Sequence, residues 1–208
     1  MDSGSHALAE SDVDLAPEHD RASWLAEFTV KAEALGVRVW HAESAHDTGQ
    51  RIAEWSTTLG ADRIVVSAEA DGVSELTAPL HDAGLVVLAP QGPEAVRDAP
   101  LGVCLARMAV AETGSILLSE PDLADRSVSM LTLSLAVICP LRALVASLDD
   151  ALAEIRRIAV APGSSFATLV TGPSRTADIE RVLTVGVQGP GVVAVIFVAD
   201  LNVKKSGE

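Results

Sequence analysis

Short apolar runs recurring between helix-like segments constrain the fold of this chain more than any other feature. VRVWHA, DRIVVSA and LVVLAP each read as a strand. RASWLAEFTVKAEALG precedes the first, with apolar positions at Trp24, Leu25, Phe28 and Leu35 and with Gly36 as a stop, which predicts an amphipathic helix. DTGQRIAEWSTTLG, closing on Gly60, predicts a second helix, and VSELTAPLHDAG a short third one broken by its proline. Helix and strand therefore alternate at the spacing of βαβ units. Such strands belong in a mostly parallel sheet covered by helices on both faces.

The second half has a different texture. QGPEAVRDAPLG reads as a loop with a short helix, and VCLARMAVAETGSILLSE as an apolar run that turns at ETGS and resumes as a strand. DLADRSVSMLTL reads as helical or irregular, and LAVICP and RALVAS as strands. SLDDALAEIRRI predicts a helix, with Ser147 as its cap and Asp149 and Asp150 in the first turn. FATLVTG and VVAVIFV are strands flanking the segment TGPSRTADIE. The expectation is a single α/β domain over residues 21–203, built on an open mixed, mostly parallel sheet. Residues 1–20 carry six acidic residues and no Lys or Arg, and read as a poorly ordered leader.

Composition narrows the partners. The 208 residues are 49% hydrophobic but only 3% aromatic, with no Tyr, so the core must be Val, Leu, Ile and Ala. A formal net charge of −14 repels phosphodiester backbones and anionic membranes, and no Lys or Arg run opposes it. No uninterrupted apolar segment is long enough to span a bilayer, and the first residues are acidic rather than basic-then-apolar. The expectation is a cytoplasmic protein with no nucleic-acid partner and no membrane insertion. Cys104 and Cys139 lie far apart in apolar runs and read as buried free thiols. His41, His46 and His81 have no metal-ligand spacing, and no metal site is expected. No dinucleotide fingerprint, P-loop or nucleophile elbow occurs.

Three polar blocks interrupt the apolar second half. In AVAETGSILLS, Glu112 stands between two apolar runs and Thr113–Gly114 can make a tight turn. A carboxylate held there can serve as an acid, a base or a nucleophile, or it can simply satisfy backbone donors. In TGPSRTADIE, Gly172–Pro173 ends a strand, and Ser174 or Thr176 can cap a helix starting near Arg175 or Ala177. Capping uses one hydroxyl and leaves the others unexplained. The alternative is an anion site at a helix N-terminus, with Arg175 as an added cation. In LTVGVQGPG the glycines allow a chain reversal, either a plain loop or one beside the same pocket.

In order and spacing, AVAETGSILLS, TGPSRTADIE and GVQGPG resemble the lactate-utilization protein C family, also called the LUD domain, over roughly residues 20–200. The resemblance implies an α/β fold like that of CoA-transferases, ribose-5-phosphate isomerase and glucosamine-phosphate deaminase. It further implies a role in a system that oxidises L-lactate to pyruvate with iron–sulfur partner proteins. With two cysteines, this chain is expected to carry no cofactor of its own, the clusters residing in partner subunits. By the resemblance, Glu112 is the catalytic candidate. Thr113, Gly114, Thr171, Gly172, Ser174, Arg175, Thr176, Asp178, Gln188 and Gly189 are the candidate ligand residues, for a small anion. Gln188 stands where relatives often have His, and Gln does not titrate. Ala106–Met108 and the MLTLSL stretch also depart from the family pattern, which implies an altered pocket. A stand-alone enzyme or a metabolite sensor for a phosphorylated sugar, CoA ester or folate-like ligand is the alternative.

Overall fold

The computed structural model describes residues 18–161, 166–177, 183–185, 189–199 and 201. The elements run α1 (Glu18–Ala34), β1 (Arg38–Ala42), α2 (Ala45–Leu59), β2 (Arg63–Val66), α3 (Ala68–Asp71), α4 (Ala78–Asp82), β3 (Val86–Leu88) and α5 (Pro93–Val96). They continue with β4 (Leu101–Leu105), β5 (Met108–Val110), β6 (Ser115–Leu118), α6 (Leu123–Leu131) and β7 (Ser134–Pro140). After a 3-10 turn at Leu141–Ala143 come β8 (Leu144–Val145), α7 (Leu148–Val160), β9 (Thr168–Val170), β10 (Arg175–Ala177), β11 (Leu183–Val185) and β12 (Val192–Val198). The helix α1 starts inside the stretch read as a leader, while residues 1–17 lie outside the described residues.

The main sheet has the order β1-β12-β7-β4-β2-β3, and every pairing in it is parallel. Its strands alternate between two apolar faces. Ile64, Val66, Val103, Ile138 and Ile196 join α2, α3 and α4 in one buried cluster. Val65, Cys104, Val137, Val195 and Phe197 join Phe28 and Ala32 of α1 in the other. This is the doubly covered sheet expected from near-continuous apolar strands. The mixed character lies in a second sheet, β8-β5-β6-β9, where β6 runs antiparallel to both β5 and β9. Ala109, Ile116 and Leu118 of that sheet face the α1 side of the main sheet, while Met108, Val110 and Leu117 pack with Ala151 of α7.

Three local readings change. Pro79 lies in the first turn of α4 and opens that helix, because its missing N–H costs nothing there. RALVAS opens in a 3-10 turn at Arg142–Ala143, and only Leu144–Val145 pairs, with β5. The helix expected from Arg175 or Ala177 is not what the chain forms. Arg175–Ala177 is a strand, antiparallel to Leu183–Val185 with Arg175 opposite Val185. Pairing with the Leu-Thr-Val segment overrides the local helical spacing. Ser147 does cap α7: its N–H and hydroxyl both donate to Asp150 Oδ2, at 3.2 and 2.9 Å.

Phe28 and Phe197 meet edge-to-face with ring centroids 5.0 Å apart, joining α1 to β12. Both are essentially buried. Phe197→Ala is expected to lower unfolding stability by about 3–5 kcal/mol, read from urea denaturation, because the rigid sheet cannot collapse onto the cavity.

Candidate functional site

ETGS closes the hairpin between β5 and β6. Gly114 donates its N–H to the Val110 carbonyl at 3.0 Å and adopts φ +65°. A Cβ there would lie 2.7 Å from the backbone nitrogen of Ala32, so only glycine lets the turn seat on the last turn of α1. Glu112 is exposed, and its Oε2 accepts a hydrogen bond from the Leu148 N–H at 2.8 Å. That N–H belongs to the first residue of α7, whose opening amides have no partner within the helix. Glu112 thus holds a helix N-terminus. Thr113 Oγ1 is buried and without a hydrogen-bond partner among the described residues.

The TGPSR segment arrives beside ETGS because β9 pairs with β6, Val170 opposite Ile116. One step further along, Ser115 Oγ and Thr171 Oγ1 share a hydrogen bond of 2.8 Å. Both blocks touch α1, which ends in a Schellman motif: Val37 N–H reaches the Ala32 carbonyl and Gly36 N–H the Glu33 carbonyl. Gly172 packs on Leu35, and the Arg175 guanidinium donates to the Leu35 carbonyl. A cation at a helix C-terminus is favourable, and here it engages the helix rather than an anion. Since Arg175 starts a strand, no helix N-terminus stands among the described residues at this point to draw an anion in.

The third block joins through Ser174. Its N–H donates to the Pro190 carbonyl at 2.9 Å, and Gly189 approaches its Cβ. Thr176 lies in β10 opposite Thr184. Asp178 and Gln188 lie outside the described residues. ETGS, TGPSR and Gly189–Pro190 therefore form one connected chain of contacts.

Gly189 also lines a cavity of about 540 Å³ that sequence reading did not find. Its other walls include Arg97 beside α5, Leu123, Arg126 and Met130 of α6, Leu133, and Phe166. The Arg126 guanidinium lies 4.6 Å from the Phe166 ring centroid, and it donates to the carbonyls of Pro121 and Asp122. The signal in the sequence was faint: one Arg in a segment legible only as helical or irregular.

Across α6 from that cavity, at the carboxyl ends of β2 and β4, lies a second group missed in the sequence. Asp125 accepts from the Ala68 N–H at 2.8 Å, and Glu120 Oε2 accepts from Ser129 Oγ at 2.7 Å. Glu120 is 5% exposed, and its Oε1 makes no hydrogen bond among the described residues. Burial pushes Glu69 up to about 7, against the lowering effect of Arg107 and with Glu120 and Asp125 adding to the rise. Burial also raises Glu120, opposed by Ser129, and raises Asp125, opposed by Ala68. The fully buried Cys104 thiol is raised well above its ordinary value by burial and then by Glu120. These residues come from four separate segments, so no spacing could announce them. Both cysteines are buried free thiols, as expected. Among the described residues no group of His, Cys, Asp and Glu is arranged to hold a metal ion. Nor is any helix there long and apolar enough to cross a membrane.

Two outcomes follow from this geometry. Glu112→Ala is expected to cost about 0.5–2 kcal/mol, read by chemical denaturation, through loss of the acceptor at the start of α7. Glu69 holds its proton in the folded chain up to about pH 7, whereas its ordinary value is 4.5. Its contribution to stability is therefore complete below about pH 4.5 and is lost as pH rises through about 7. Denaturation at a series of pH values should show this decline flattened in Glu69→Gln.

The LUD domain family model matches residues 25–198. Lactate utilization protein C of Bacillus licheniformis is 38% identical over 106 residues, covering 50% of this chain and 44% of that one. The Bacillus subtilis protein of the same name is 36% identical over 106 residues, with the same two coverages. That of Geobacillus thermodenitrificans is 33% identical over 114 residues, covering 53% of this chain and 47% of that one. The match thus spans less than half the length of these relatives. In fold, the chain is similar to the crystal structure of a DUF162 family protein from Deinococcus radiodurans. The TM-score is 0.61 at 23% identity, covering 86% of this chain and 98% of that one. A family match running from α1 to β12 encloses the sheet and all three motif blocks, and the chain belongs to the LUD domain family.

Proposed function

We propose that the chain serves in L-lactate utilization, as a cytoplasmic component that holds a small organic anion and acts with iron–sulfur partner proteins. The relatives named lactate utilization protein C support the pathway. The observation that carries the ligand reading is the meeting of the family motifs with a basic cavity. Ser174 holds Pro190 by a hydrogen bond, and the adjoining Gly189 forms part of the wall that Arg97 and Arg126 also line. Guanidinium groups recognise carboxylates with directed donors. In a chain of net charge −14, two of them at one cavity form a local site for an anion.

Oxidation of a hydroxy acid to a keto acid removes two electrons, which need an acceptor. Cys104 and Cys139 cannot supply the four thiolates of a typical iron–sulfur cluster, and both are buried. The proposal accordingly places electron acceptance in partner subunits. Glu112 is assigned to supporting the site through α7, and Thr113, Gly114, Thr171, Gly172, Ser174 and Arg175 to holding its frame against α1. Deletion of the gene in its source organism is expected to abolish growth on L-lactate while sparing growth on pyruvate. Affinity purification of the chain from lactate-grown cells should recover iron–sulfur proteins. Normal growth of the deletion strain on L-lactate would overturn the assignment.

A further inference from the structure

We propose that the cavity between α5, α6 and Gly189 binds an amphipathic organic anion larger than L-lactate. Its acidic head would sit on Arg126 and Arg97, and its apolar body on Leu123, Met130 and Leu133. The inference rests on the reading of this cavity as the chain's anion site, and it specifies the ligand class.

Three observations carry it. The first is size: about 540 Å³ lies within the range of pockets that enclose drug-sized ligands, whereas a three-carbon hydroxy acid would leave most of it to water. The second is the lining. Leu123, Met130 and Leu133 are 59, 49 and 53% exposed, although the other face of α6 is anchored by buried Val128. Three large apolar side chains around one cavity form a patch that an apolar ligand body would remove from water. The third is charge. The charged groups on the described walls are Arg97, Arg126 and Asp98, a net positive set in an acidic protein. Asp98 adopts φ +60° and its N–H donates to the Leu131 carbonyl, which ties the α5 wall to the end of α6. Arg126 is itself oriented, stacked on Phe166 and tethered to two carbonyls, so its placement costs little entropy when a ligand binds.

The experiment uses the full chain with decanoate, decanol and L-lactate, read by isothermal titration calorimetry and by thermal melting. Decanoate is expected to bind and to raise the melting temperature, decanol to bind at least tenfold more weakly, and L-lactate at equal concentration to leave decanoate binding unchanged. Arg126→Gln and Arg97→Gln should each weaken decanoate roughly tenfold or more, the loss of a charged hydrogen bond. Arg126→Lys should recover part of it. Leu133→Asp should weaken binding as well, by placing a carboxylate against the ligand. Arg97 and Leu133 are exposed, so melting of these variants without ligand should match the wild type. Equal binding of decanol and decanoate would overturn the proposal in favour of a plain apolar surface, such as a partner contact. Absence of decanoate binding at millimolar concentration, or unchanged binding in both arginine variants, would also overturn it. Neither result alters growth of the deletion strain on L-lactate, so failure here and failure of the pathway assignment can be told apart.

Discussion

The end of α1 holds the second half of the molecule to the first. Gly114 seats on the Ala32 backbone, Gly172 on Leu35, and Arg175 on the Leu35 carbonyl. Phe28, earlier on the same helix, packs edge-to-face on Phe197 of the main sheet. One helix therefore grips the parallel sheet with its apolar face and the two motif segments with its last turn. The motif glycines read from this geometry as close-approach positions. A side chain on Gly114 would push the ETGS hairpin off the helix, and the Ser115–Thr171 hydrogen bond would move with it.

Around this clamp the layers follow from burial. The six parallel strands are apolar on both faces, so each face needs a cover. Helices α2, α3 and α4 cover one face. The other is shared by α1, by α6 through Val128, and by the inner side of the second sheet. The second sheet is then itself covered by α7 on its outer side. The helix α6 has two environments: Arg126 and Met130 line the cavity, while Asp125 and Ser129 engage Ala68 and Glu120 behind it. Burial raises Glu120 and Asp125, and the Arg126 charge opposes that rise at Glu120, so the cavity and the acidic group share one helix.

Much of the fold was legible because helices and strands are local, periodic patterns. VRVWHA, DRIVVSA, LVVLAP, LAVICP and VVAVIFV all form strands of the main sheet, and the stop at Gly36 is a helix end. Strand order was not legible. Consecutive strands β1 and β2 are separated in the sheet by β12, β7 and β4, an arrangement set by which apolar faces bury together. The site was half legible. The three blocks do meet, but the two charged residues that drew most attention, Glu112 and Arg175, engage helix ends. The charged side chains that line the cavity, Arg97 and Arg126, come from just after α5 and from α6, where no motif marks them.

What the sequence by itself determined is the class of most elements, the two-faced apolar strands and the family, since these are written in patterns a few residues long. The tertiary structure alone decided what the charged residues do. Arg175 meets Leu35 across 140 positions, and Glu112 meets Leu148 across 36. It also turned Arg175–Ala177 into a strand, by supplying Leu183–Val185 as a partner. Local periodicity selects an element, but the partner of a side chain depends on which distant segment burial brings beside it.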